Sequence, residues 1–180
     1  MHSNILPTLS QYTAFSFSGS RYGSRAASIF IPAFAAMFST ASVRVGCASG
    51  VDALVRDAFP SAGVFRAGPR RWELAARSAR LVRASGSAGG LLIAFPSSYI
   101  VPSGCIVGRS FRGGGSGTWG SVALALGLGY PVIVWCPSLT ASPPLPGLSR
   151  LWSSPPGFPV QGSWWYSAGS VSSAAPTLFG

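Results

Sequence analysis

Short apolar runs alternate with stretches of helical spacing over most of the chain, and Gly, Ser or Pro closes each run. Residues 12–19 (YTAFSFSG) read as a strand, and 24–41 (SRAASIFIPAFAAMFSTA) carry helical spacing with a kink or break expected at Pro32. Residues 43–47 (VRVGC) form a second strand. Residues 51–59 (VDALVRDAF) form a short helix with Asp52 set to cap its first turn. A third strand at 63–66 (GVFR) precedes a helix at 70–85, apolar on one side and arginine-bearing on the other, with Glu73 spaced to pair with Arg77. Residues 89–98 (GGLLIAFPSS) are nearly all apolar, as a strand buried on both faces should be. After a long loop, 97–112, come a helix at 116–129 and a fifth buried strand at 130–137 (YPVIVWCP).

This alternation predicts an α/β protein: a Rossmann-like, doubly wound, mostly parallel five-stranded sheet with helices on both faces. It divides the chain into an N-terminal extension (1–11), the α/β domain (12–137) and a tail (138–180). Pro, Ser, Gly and Trp dominate that tail and no helix or strand period runs through it, so an irregular segment partly packed on the body is expected. Its aromatics, if exposed, would suit a homo-oligomer.

Polar and glycine-rich segments cluster where open parallel sheets bind ligands, beyond the carboxyl ends of the strands. These segments are GSRYGS (19–24), GCASGVD (46–52), RAGPRR (66–71), FPSS (95–98) and GGGSGT (113–118). Two of them open directly onto helices, whose unpaired N–H groups favour an anion. Arg70 and Arg71 stand at a helix start, the unfavourable end of its dipole for a cation, which points to a compensating anion.

The net charge of +10 comes from 13 basic residues, all arginine, against three carboxylates. It permits nucleotide or nucleic-acid partners, although a GC-rich coding sequence produces the same arginine bias. No apolar run reaches the roughly 18 residues of a membrane span, so no membrane partner is expected. Cys47, Cys105 and Cys136 are widely spaced and His2 is the single histidine, which leaves no metal-ligand set. Free, buried thiols in a reducing cytoplasm are the simple reading, with Cys47 in the core.

The ordered set GSR, G-C-A-S-G-V-D-A-L, A-G-P-R-R, L-L-I-A-F-P and G-G-x-G-T resembles the SLOG superfamily, over about residues 12–136. That Rossmann-like group contains the Smf/DprA proteins, the Lonely Guy phosphoribohydrolases and the YspA/YpsA-like proteins, and the YspA-like branch is the most similar. The resemblance implies a nucleotide-type ligand of unknown identity. Gly19, Ser20 and Arg21 would approach its phosphate or sugar, and Gly46, Ser49, Gly50 and Asp52 would form a second wall. Pro69, Arg70 and Arg71 match the family's P-R-x segment, and Gly114, Gly115, Gly117 and Thr118 its phosphate loop. Three positions depart from the pattern. Trp72 replaces an asparagine, FPSS stands where PGG belongs, and Ser121 falls where the hydrolase branch carries its catalytic glutamate. No catalytic residue is therefore assigned, and binding is favoured over hydrolysis. A phosphoribohydrolase using Asp52 or Glu73 and a DprA-like binder of single-stranded DNA are the alternatives.

Overall fold

The computed structural model describes residues 5–170. Residues 1–4 of the N-terminal extension, His2 among them, and residues 171–180 of the tail lie outside them. The elements run α1 (Leu6–Leu9), β1 (Ala14–Gly19), α2 (Arg25–Met37), β2 (Ser42–Gly46), α3 (Val51–Ala58) and β3 (Gly63–Phe65). They continue with α4 (Arg71–Ser87), β4 (Leu91–Phe95), α5 (Gly117–Gly127), β5 (Val132–Cys136), β6 (Ser149–Ser153) and β7 (Ser163–Ser167).

The sheet has seven strands in the order β3-β2-β1-β4-β5-β7-β6. The first five are parallel, and β7 and β6 add antiparallel beyond β5. This corrects the five-stranded expectation and the irregular tail: residues 149–167 form a hairpin that continues the same sheet. Two of the tail's tryptophans, Trp164 and Trp165, turn inward. Trp164 packs with Phe30, Phe95 and Trp135 on one face of the sheet. Trp165 is buried on the other, with Arg150 stacked 4.9 Å above its ring. A strand of five residues, SWWYS, is too short to display a period, and its burial on both faces removes the alternation that would have revealed it. The hairpin loop uses the segment's Pro and Gly in turns. Ser154 Oγ donates to Val160 O at 2.7 Å and Gln161 Nε2 to Phe158 O at 2.8 Å.

Side-chain alternation on the central strands sorts residues into two cores. Leu91, Ile93 and Phe95 face α2 and α3, where Phe15, Phe34 and Phe38 pack edge-on or stacked at 4.6 to 5.4 Å. Leu92, Ala94, Val132 and Val134 face α4 and α5. Helix α2 passes through Pro32 without a break. Pro32 sits on its solvent side, where water can satisfy the carbonyl that loses its partner. No described helix is long and apolar enough to cross a membrane.

Candidate functional site

The parallel strands bring their carboxyl ends to one edge, and the loops there enclose a cleft of about 580 Å³. One wall is the segment after β1. The ladder between β1 and β4 extends one bond past Gly19, with Ser20 N donating to Phe95 O at 3.1 Å. The segment after β2 then clamps the turn from behind: Val51 N donates to Ser20 O at 3.0 Å and Ser49 Oγ to Arg21 O at 3.0 Å. Gly50 makes the clamp possible. Its φ of 66° lies where side chains are disfavoured, and a Cβ would collide with the Ser20 carbonyl. Arg21 and Tyr22, held in this way, line the cleft.

The opposite wall is the segment 113–118 leading into α5. Gly114 bridges antiparallel to Gly104, which folds the long loop back over the cleft. Ser116 caps the helix, accepting from Trp119 N at 3.2 Å, and Gly117 and Thr118 present the first turn's N–H groups. Gly120 seats this loop by close approach, since a Cβ there would stand 2.6 Å from Gly113 Cα. The first two turns of α4 complete the enclosure with Arg71, Trp72, Leu74, Ala75, Arg77 and Ser78.

A buried ion pair forms the floor. Arg77 Nη1 lies 3.3 Å from Asp52 Oδ2, and both side chains are nearly inaccessible. Asp52 also accepts from Ala48 N at 3.1 Å. Burial raises its carboxyl above the usual value and outweighs Arg77, the Ala48 N–H, Arg56 and Arg21, which pull it down. Asp52's contribution to stability is therefore complete below a carboxylate's ordinary pKa and is lost as pH rises through the raised folded value. Cys47 lies beside the same guanidinium, with Arg77 Nη1 donating to Sγ at 3.7 Å. Burial pushes this thiol up, but the Ala67 N–H and Arg77 together bring it below its ordinary value.

Of the residues predicted for the site, Gly19, Ser20, Arg21, Asp52, Arg71, Gly114, Gly115, Gly117 and Thr118 line the cleft. Gly46, Ser49, Gly50, Pro69 and Arg70 do not. Gly46 leaves room for the Asp52–Arg77 pair, and Ser49 and Gly50 hold the first wall. Pro69 and Arg70 point to solvent. Three local expectations are corrected. Glu73 does not pair with Arg77; its Oε2 accepts from Arg70 N at 3.0 Å, capping α4. Asp52 does not cap its own helix, whose N-cap is Gly50. Cys47 is partly exposed rather than core. Ser121, the position of the hydrolase glutamate, is fully buried off the cleft, its Oγ donating to Gly117 O at 3.0 Å.

Sequence reasoning missed Arg77 and Phe111. The Glu73 spacing offered Arg77 a local partner, and only the 104–114 bridge brings Phe111 inward. Trp119 is buried, and its indole donates to Ser98 O at 3.0 Å. Among the described residues no three His, Cys, Asp or Glu side chains gather as a metal site. The chain matches no protein-family model, no curated protein and no solved structure.

Proposed function

We propose that the cleft binds a nucleotide or nucleotide derivative and holds it without cutting it. The observation that carries this reading is the meeting, around one cleft, of Arg21, Arg71 and the N-terminal turn of α5. Two exposed cations and a set of unpaired N–H groups are what a phosphate or diphosphate needs. The apolar stretch of wall at Leu74, Ala75, Leu81 and Phe111 suits a base. The order β3-β2-β1-β4-β5 of the parallel strands supports a Rossmann-like reading, in which the ligand lies across the β1–β4 switch point. Likeness to the SLOG superfamily is part of the same proposal. Hydrolysis is disfavoured because Asp52, the carboxylate lining the cleft, is tied to Arg77 and the Ala48 N–H.

The test is a thermal-unfolding screen with AMP, ADP-ribose and cyclic ADP-ribose. A true ligand at a hundredfold excess over its Kd adds about 2.7 kcal/mol of stability. Arg71→Ala removes that gain, whereas Arg70→Ala keeps it, because Arg70 points away from the cleft. No gain with any nucleotide rejects the reading, and release of free base from AMP replaces it with the hydrolase.

A further inference from the structure

Away from the cleft, on the α2 side of the sheet, α2 and the loop joining β6 to β7 bound a groove of about 490 Å³, a size typical of small-ligand sites. Every residue lining it is apolar, and none of the 13 arginines is among them. Helix α2 leaves the hollow by presenting Ala26 and Ala33 there, where longer side chains would fill it. Aromatic rings follow one another along the floor. Phe30 lies 5.0 Å from Trp164, Trp164 5.2 Å from Trp135, Trp135 6.3 Å from Trp152, and Trp152 5.6 Å from Phe158. All four contacts are tilted or edge-on, so a further flat ring can join the series in the geometry that aromatic pairs prefer. Ile29 and Phe158, 44% and 42% exposed, keep the groove open to solvent.

Two hydrogen-bond donors lie in this apolar lining. Trp135 and Trp164 are 3% and 4% exposed, and the indole N–H of neither meets an acceptor among the described residues. Other indoles are placed differently: Trp119 donates to Ser98 O, and the Trp165 N–H is sealed from solvent without a partner. Those of Trp135 and Trp164 are not sealed, and the groove is the open space that both residues line. A ligand filling it displaces water from these donors, so it must supply an acceptor or strand them. An acyl chain supplies none along its length, loses rotamer freedom on binding, and its carboxylate would find no cation in the lining. A second copy of the chain would set hollow against hollow, since a two-fold contact places the same groove on both sides. We propose that the groove is a binding site for a small, uncharged, planar aromatic molecule that carries a ring carbonyl or equivalent acceptor. It shares no lining residue with the cleft and stands independently of the nucleotide reading.

The experiment titrates the full chain with Nile red, an uncharged fused-ring dye bearing a ring carbonyl, and follows its fluorescence. Fluorenone and fluorene, flat tricycles that differ by a single carbonyl, then compete with the dye. Fluorenone displaces it at roughly tenfold lower concentration, the ratio expected when the other ligand leaves a buried donor unpaired. In nitrogen-edited NMR spectra fluorenone moves an indole N–H signal of Trp135 or Trp164 downfield, and fluorene does not. Trp135→Phe and Trp164→Phe assign the signal, and loss of the responding donor brings the two tricycles to equal affinity. Ile29→Glu sets a carboxylate in the groove from an exposed position, which spares the fold, and weakens Nile red binding at least about tenfold. Absence of Nile red binding, or binding unchanged by Ile29→Glu, overturns the proposal. Equal affinity of the wild type for fluorenone and fluorene overturns the assignment of an acceptor. Displacement by palmitate at lower concentration than by fluorenone would assign the groove to an acyl chain instead. A dimer seen by light scattering and dissociated by Ile29→Glu would assign it to a second copy. Ile29→Glu keeps whatever stabilisation AMP or ADP-ribose gives the wild type, so failure here is distinct from failure of the cleft reading.

Discussion

At the scale of single residues, Arg77 connects most of the cleft's chemistry. It neutralises Asp52, approaches Cys47, and its Nε is buried without a partner. Because Cys47 is lowered while burial raises Cys105 and pushes Cys136 up to about 12, the three thiols separate by reactivity. Iodoacetamide at pH 8 should label Cys47 first, and Arg77→Ala should slow that labelling; peptide mass mapping over time reads both. The linkage has a definite sign: Cys47 stabilises the fold above the ordinary thiol pKa, and that contribution is lost as pH falls through its lowered value. Uniform labelling of the three cysteines would contradict this picture. Gly50 is the second residue on which the site depends. Gly50→Ala forces a side chain into a disfavoured region and against the Ser20 carbonyl, at a cost of about 2 kcal/mol or more. Urea unfolding should show the loss, and no ligand gained by the wild-type cleft should survive it at full affinity.

At the scale of elements, the strand β7 sets the packing at its end of the sheet. It pairs with β5 along its whole length and sends Trp164 to one core and Trp165 to the other. Trp165 is fully enclosed, yet its indole N–H has no acceptor. Removing the ring and removing the donor should therefore give different results. Trp165→Ala should cost about 3–5 kcal/mol through the cavity it leaves. Trp165→Phe should cost under about 1.5 kcal/mol, because it keeps most of the packing and discards an unsatisfied polar group. Chemical denaturation of the pair decides this, and equal losses would mean that the indole N–H is satisfied in solution.

At the scale of the whole molecule, the hairpin of β6 and β7 belongs to the fold's body. Deleting residues 138–180 bares the edge of β5 and strips tryptophans from both cores at once. The shortened chain should lose cooperative thermal unfolding or aggregate through the open edge. A soluble shortened chain with an unchanged transition would show that the five parallel strands suffice. Charge also divides at this scale. The outer side of α4 is cationic, while α2 and the hairpin loop enclose an apolar groove with Phe30, Trp135, Trp152 and Phe158.

The sequence by itself determined the five parallel strands and their helices. The central strands stand out as apolar runs between turn residues, the helices show their period, and local apolar patterning dictates which side of a helix is buried. It also determined which loops carry glycine and arginine toward the strand ends, since chain order and right-handed crossovers place those loops on one edge. Tertiary structure alone decided which of those residues face the cleft. Gly50 and Ser49 support Arg21 from behind, and Arg70 turns outward while Arg71 turns in, a difference of one helical position. It likewise decided that Arg77 serves Asp52, 25 residues away in sequence, rather than Glu73, four residues away. A local spacing offers a weak exposed pair, whereas burial makes a lone charge so costly that the distant partner wins. GGGSGT has its place for the same reason: the 104–114 bridge and the close approach of Gly120 to Gly113 hold it against the cleft.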